Sequence, residues 1–171
     1  MWQPRALLLL ICGFIFFRHL QDPLYGGIAK GLNLAIHEMG HVVFGFLGND
    51  FLMIAGGTIL QLAAPLVAFW MFHRQRDYFA IAIAFCWLAT NLFDVAAYAG
   101  DARRQALPLV SLGGGDPEHD WFTMLAETNL LNHDTTIAAV IRGLGILSFS
   151  FGLGFGLWVL REMGTAPQNE D

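Results

Sequence analysis

Long apolar runs separated by short polar breaks make up most of this chain. Five of them stand out, at residues 6–17, 28–47, 51–72, 78–98 and 137–160. About 20 consecutive apolar residues are enough for one helix to cross the hydrocarbon core of a membrane. A shorter run at residues 121–131 is expected to lie on the membrane surface. The pattern therefore predicts an all-α, polytopic transmembrane helical bundle with about five membrane helices plus a short amphipathic helix.

The first apolar run has two interpretations. Residues 6–17 follow Arg5 and are short for a membrane span, as in the core of a secretory signal peptide. No small-x-small cleavage site follows them, and the polar stretch at residues 18–23 is typical of the end of a membrane helix. We therefore favour a retained first helix within residues 1–20 and keep a signal peptide as the alternative.

Composition indicates an integral membrane protein. Of the 171 residues, 56% are hydrophobic and 13% charged, with a mean hydropathy of +0.52, which is unusual for a soluble domain. We predict a single domain at residues 1–165, a disordered tail at residues 166–171 and a multi-pass location in a cell or inner membrane. The lipid bilayer is then one partner, whereas a net charge of -5 makes nucleic acid an unexpected one.

The second apolar run carries three ionisable residues, His37, Glu38 and His41. On a helix the two histidines lie one turn apart on the same face, which lets both imidazoles reach one tetrahedral Zn²⁺. Glu38 can then serve as the general base and acid, as the glutamate of an HExxH motif does in metalloproteases. Placing one ionisable side chain in hydrocarbon costs about 2.5–3.5 kcal/mol of insertion free energy, and this segment carries three. We therefore favour a metal site over the alternative that the histidines only form hydrogen bonds with backbone carbonyl groups.

A second intramembrane acid is the predicted third ligand. Asp94 shares a helix face with Asn91, three residues earlier. One span separates this helix from the HExxH helix, so the two should run parallel, and their residue counts put Asp94 and His41 at comparable depths. We predict that His37, His41 and Asp94 hold zinc with water in the fourth position.

The longest polar stretch, residues 100–120, contains further candidates. Asp101, His119 and Asp120 are each a conceivable third ligand or a partner that orients a ligand imidazole. For His119 a solvated loop position is the leading interpretation. Asn91 is a further candidate for a polar role beside the metal, including stabilisation of an oxyanion.

The HEMGH motif at residues 37–41, followed two spans later by Asn91-x-x-Asp94, resembles the site-2-protease-like membrane zinc metallopeptidases. The resemblance covers about residues 28–101. It implies a zinc-dependent intramembrane metalloprotease that hydrolyses peptide bonds in or near transmembrane segments of membrane-protein or peptide substrates. It also implies that the two histidines bind zinc, that Glu38 activates water and that Asp94 is the aspartate ligand. The chain departs from the family pattern because no proline follows Asn91 and no glycine follows Asp94.

Other interpretations remain beside the protease. The main alternative is a non-catalytic membrane metal-binding or scaffold protein with a protease-like fold. The HxxxH spacing also occurs in membrane di-iron oxygenases, but those need several histidine boxes and this chain has six histidines with no second box. The pair Gly152 and Gly156 indicates a close-packing helix face, and a homo-oligomer is left open.

Overall fold

The structure is a computed structural model that describes residues 2–109 and 118–165. Six α-helices follow one another, with one 3₁₀ turn at Leu131–His133 before the last: α1 (Gln3–Gln21), α2 (Lys30–Gly45), α3 (Asp50–Gln75), α4 (Tyr78–Gly100), α5 (Asp120–Glu127) and α6 (Asp134–Thr165). No strand occurs in these two described stretches. The predicted all-α class is confirmed there, and the predicted disordered tail at residues 166–171 lies outside them.

Within the described stretches, four helices are long and apolar enough to cross a membrane, namely α1, α3, α4 and α6 together with its preceding 3₁₀ turn. The helix α2 has 16 residues, a length of about 24 Å, and therefore falls short of a hydrocarbon core of about 30 Å. The expected span at residues 28–47 is thus a shorter helix with exposed apolar residues at both ends, such as Ile28 and Phe46. The predicted count of about five membrane helices is not confirmed.

Local capping explains the tight connection from α3 to α4. Arg76 ends α3 in the left-handed conformation, with φ of 57°. Asp77 then accepts a hydrogen bond from the backbone N–H of Ala80 and so caps the start of α4. Such a short connection makes α3 and α4 antiparallel neighbours.

The helix α4 lies at the centre of the bundle and packs most extensively against α6. A Cβ at Gly152 would lie 2.8 Å from the carbonyl oxygen of Ala82, and a Cβ at Gly156 would lie 2.7 Å from Leu9. These glycines therefore let α6 approach α4 and α1 closely, which confirms the close-packing face predicted for them. The helix α1 is part of the same bundle, with Leu9 and Cys12 buried.

The two ends of the described chain meet at one end of the bundle. The Arg5 side chain of α1 donates a hydrogen bond to the sulfur of Met163 near the end of α6, and its guanidinium lies over the ring of Phe79 at the start of α4. At the opposite end, Arg103 after α4 pairs with Asp134 at the start of α6. The helices α1 and α4 are therefore parallel, and α6 is antiparallel to both.

The helix α2 begins part-way along α4 instead of at its start. Asn33 in the first turn of α2 donates hydrogen bonds to Thr90 and Asp94. Thr90 lies about 18 Å along α4 from Tyr78 at 1.5 Å per residue. His37, at the middle of α2, is therefore placed beside Tyr98 in the last turn of α4.

Candidate metal centre

The candidate metal-binding group lies on one face of α2. Ligand atoms of His37, Glu38 and His41 all lie within 4.8 Å of one another. The two imidazole rings are neighbours with centroids 4.9 Å apart. The helical spacing of the HExxH motif thus brings the three side chains together as the sequence pattern requires.

Partners on α3 orient both imidazoles. Nδ1 of His37 lies 2.9 Å from Oε1 of Gln61, and Nδ1 of His41 lies 2.9 Å from the carbonyl oxygen of Met53. Both oxygens can only accept, so each neutral imidazole carries its proton on Nδ1. The lone pair is then on Nε2, the nitrogen that is free to bind a metal.

The side chain of Asp120 completes the cluster from α5. Its Oδ2 lies 2.9 Å from Nε2 of His37 and 3.3 Å from Nε2 of His41. With the imidazole protons on Nδ1, three lone-pair atoms converge and repel one another unless a cation lies among them. Additional protons or one metal ion can supply that positive charge.

Two imidazole nitrogens and one carboxylate oxygen form a donor set of catalytic zinc sites. Metal–ligand bonds of about 2.0–2.2 Å in a tetrahedron place ligand atoms about 3.3–3.6 Å apart. Nε2 of His41 and Oδ2 of Asp120 are 3.3 Å apart, which already agrees with this spacing. Nε2 of His37 and Oδ2 of Asp120 are 2.9 Å apart and would have to separate by only a few tenths of an ångström. The residues therefore fit a zinc ion.

A glycine on α3 makes room for the centre. A Cβ at Gly57 would lie 2.6 Å from Nε2 of both His37 and His41, closer than real Cβ contacts. Gly40 of α2 faces the backbone of Gly56 and Gly57 at the same crossing. The backbone of α3 therefore approaches the imidazoles directly, without a side chain between them.

A cavity of about 830 Å³ opens in front of the two histidines. Lys30, Glu38, Asp94, Glu118 and Asp120 contribute charge to its wall. Most of the other lining residues are apolar, among them Leu34, Val42, Met53, Ile54, Val95 and Leu107. The volume is in the range of ordinary ligand pockets and suits an apolar ligand with a few polar groups.

Asp94 lies in the wall of this cavity but is paired elsewhere. Its Oδ2 accepts a hydrogen bond of 2.8 Å from Nδ2 of Asn33, one helical turn before His37. Among the described residues, the carboxylate recorded in contact with the Nε2 atoms of both histidines is that of Asp120. The offset of α2 along α4 accounts for this, because equal residue counts from the two helix starts do not correspond to equal heights.

The other candidates lie in different surroundings. Asn91 is fully buried, and its amide donates to the carbonyl oxygen of Trp87 on its own helix. Asp101 accepts from the backbone N–H of Leu107 and lies 3.6 Å from Nε2 of His119. His119 is buried, with an exposed fraction of 4%, and caps the start of α5. The solvated position expected for His119 is wrong, because α4 covers it.

The ionisation state of Asp120, at the start of α5, is the one that a metal ligand needs. Burial raises the pKa of Asp120, but its side-chain contacts with His37 and His41 outweigh burial and hold that pKa below its ordinary value. Burial lowers the pKa of His119 in spite of the nearby carboxylate of Asp101. At neutral pH, Asp120 is therefore ionised and His119 uncharged.

Sequence reasoning missed Gln61 and Tyr98, and it ranked Asp120 below Asp94. Gln61 is one of few polar residues in an otherwise apolar run, which was a usable signal. The side chain of Tyr98 lines the cavity, and its hydroxyl accepts a hydrogen bond from the backbone of Asp120. No short sequence spacing links Asp120 to the histidines, which lie about 80 residues earlier.

The chain was compared with protein-family models, curated protein sequences and solved structures, and no match was found in any of the three comparisons.

Proposed function

We propose that this protein is a zinc-dependent intramembrane metalloprotease, similar to the site-2-protease-like membrane metallopeptidases. One observation carries the proposal: Nε2 of His37, Nε2 of His41 and Oδ2 of Asp120 converge beside Glu38 in the wall of a largely apolar cavity. The contacts favour Asp120 over Asp94 as the third ligand.

Each residue of the site has a separate role in the proposed peptide hydrolysis. When bound, zinc activates a water molecule and polarises the carbonyl group of the scissile peptide bond. The carboxylate of Glu38 accepts a proton from the water and passes it to the leaving amine nitrogen. Gln61 and the carbonyl of Met53 hold the imidazoles in the orientation that leaves Nε2 free.

The substrate is a membrane protein or peptide whose cleaved segment lies near the membrane surface. The ring of His37 lies 6.0 Å from that of Tyr98, in the last turn of α4, so the centre is close to one end of a spanning helix. Apolar walls favour a segment leaving the bilayer. The protein itself is a multi-pass protein of a cell or inner membrane in this proposal.

The decisive experiment compares the wild-type protein with Glu38→Gln, purified and zinc-loaded, on peptides that contain a transmembrane segment and its flanks. We expect cleavage to fall by about 10²–10⁴-fold, the usual contribution of a general acid–base group. Bound zinc should stay at the wild-type stoichiometry, because Glu38 is not one of the three ligands. Product peptides are identified by mass spectrometry.

A Glu38→Gln variant with full activity would refute the proposed role of Glu38. A wild-type protein that binds zinc and cleaves none of the peptides would instead support a non-catalytic membrane metal-binding or scaffold protein.

A further inference from the structure

Three contacts tie the start of α5 to the end of α4. The backbone N–H of Asp120 donates to the hydroxyl of Tyr98 at 3.0 Å. The ring of His119 packs on the ring of Tyr98, with centroids 4.3 Å apart. Nε2 of His119 lies 3.6 Å from Oδ2 of Asp101. We refer to Tyr98, Asp101 and His119 as the anchoring cluster.

The protonation state of His119 follows from its contacts. Its Nδ1 accepts a hydrogen bond of 3.2 Å from the backbone N–H of Phe122, which caps α5. The proton of the neutral ring is therefore on Nε2, the nitrogen that faces Asp101. Oδ2 of Asp101 also accepts from the backbone of Leu107 at 2.9 Å, which holds that carboxylate in place.

Two residues of the anchoring cluster are buried, unlike most residues of surface loops. The exposed fractions are 4% for His119 and 8% for Asp101. Burial is costly for a carboxylate that is not paired, so Asp101 is expected to keep its hydrogen bond to Leu107 and its place beside Nε2 of His119. The backbone of Asp120 is therefore held from both sides, by the hydroxyl of Tyr98 and by the capping residue His119.

We propose that Tyr98, Asp101 and His119 are positioning residues that place the carboxylate of Asp120 on the metal. The proposal rests on the zinc centre described above. Asp120 has a short side chain, so the position of its backbone decides whether Oδ2 reaches both imidazoles. Metal sites tolerate displacements of only about 0.5 Å in their ligands, and the cluster supplies that restraint.

The test measures zinc affinity of the purified full-length protein by competition with a chelator. Tyr98→Phe removes only the hydroxyl. His119→Asn keeps a side chain that can cap a helix but removes the ring that faces Tyr98 and Asp101. We expect each variant to bind zinc about 10–100-fold more weakly, as for other groups that support metal ligands.

Dependence on Asp120 separates positioning from a general structural role. In an Asp120→Asn background, Tyr98→Phe and His119→Asn should weaken zinc binding no further, because the carboxylate they position is already absent. The Co²⁺-loaded variants should show the same change in visible absorption as Asp120→Asn, since all three alter the coordination of the metal.

Arg103→Gln is the matched control. Arg103 lies in the same connection, pairs with Asp134 at 2.7 Å and is not among the residues that line the cavity. This substitution should lower the thermal stability and leave the zinc Kd unchanged. The inference is overturned if Tyr98→Phe and His119→Asn bind zinc like the wild type, or if their losses persist in the Asp120→Asn background. Zinc binding that follows the expected pattern without peptide cleavage would refute only the protease.

Discussion

Two aspartates near the histidines have different surroundings, although both are acids in an apolar bundle. Asp120 places Oδ2 within 3.3 Å of both Nε2 atoms. Asp94 of α4 is held by the amide of Asn33, one turn before His37 on α2, and lines the cavity there. The height of each carboxylate relative to the histidines, which depends on the offset between α2 and α4, therefore separates the proposed ligand from the other acid.

Matched substitutions at the two acids test this difference. Asp120→Asn should weaken zinc binding by about 100-fold or more, beyond the usual effect of losing a group that only supports a ligand. Asp94→Asn should leave the zinc Kd unchanged, because the amide oxygen can still accept from Asn33. Chelator competition measures the zinc Kd of both variants. A larger loss of zinc affinity in Asp94→Asn than in Asp120→Asn would mean that Asp94 is the third ligand.

The crossing of α2 and α3 is the element that forms the centre. Gly40, Gly56 and Gly57 remove side chains from the crossing, and a Cβ at Gly56 would lie 2.6 Å from that of Phe44. The same approach brings Gln61 and the carbonyl of Met53 to the two Nδ1 atoms. Packing and ligand orientation therefore depend on one close contact between two helices.

Gly57→Ala should weaken zinc binding by at least about tenfold, because the new methyl group would lie against both Nε2 atoms and displace the imidazoles. Gly154→Ala in α6 is the control, since its Cβ would meet nothing within 4 Å. That control should keep the zinc Kd and gain about 0.5–1 kcal/mol of helix stability. Equal zinc affinities in the two variants would contradict the role of the crossing.

At the scale of the whole molecule, four of the described helices are long and apolar enough to cross a membrane, and we expect four crossings. The start of α1 and the end of α6 meet through Arg5 and Met163. The helix α2 continues from the end of α1 toward the same end of the bundle as the last turn of α4, which requires no additional crossing. The candidate metal centre is at the end of the bundle opposite to residues 2 and 165, where the described part of the chain begins and ends.

Labelling from one side of the membrane tests the number of crossings. Single cysteines introduced as Gln3→Cys and Glu162→Cys should react with an impermeant reagent from the same side, and Arg104→Cys should react from the other. The native Cys12 and Cys86 are buried and give a low background. Reaction of Gln3→Cys and Glu162→Cys from opposite sides would mean that α2 is a fifth crossing.

Much of the architecture follows from local sequence. Apolar runs of sufficient length determine α3, α4 and α6, because backbone groups in hydrocarbon must form their hydrogen bonds within a helix. The four-residue spacing of His37 and His41 places both imidazoles on one helix face whatever surrounds them. These features could be predicted since they depend on residues close together in the chain.

The remaining features depend on how the helices are placed against one another. The prediction for Asp94 assumed that α2 and α4 start at the same height, whereas Asn33 lies beside Thr90, well along α4. Asp120 reaches His37 across 83 residues of sequence through the packing of α5. Helix periodicity carries no information about such offsets, which arise from close contacts between helices distant in sequence. Local spacing thus predicts two of the proposed ligands, and packing selects the third.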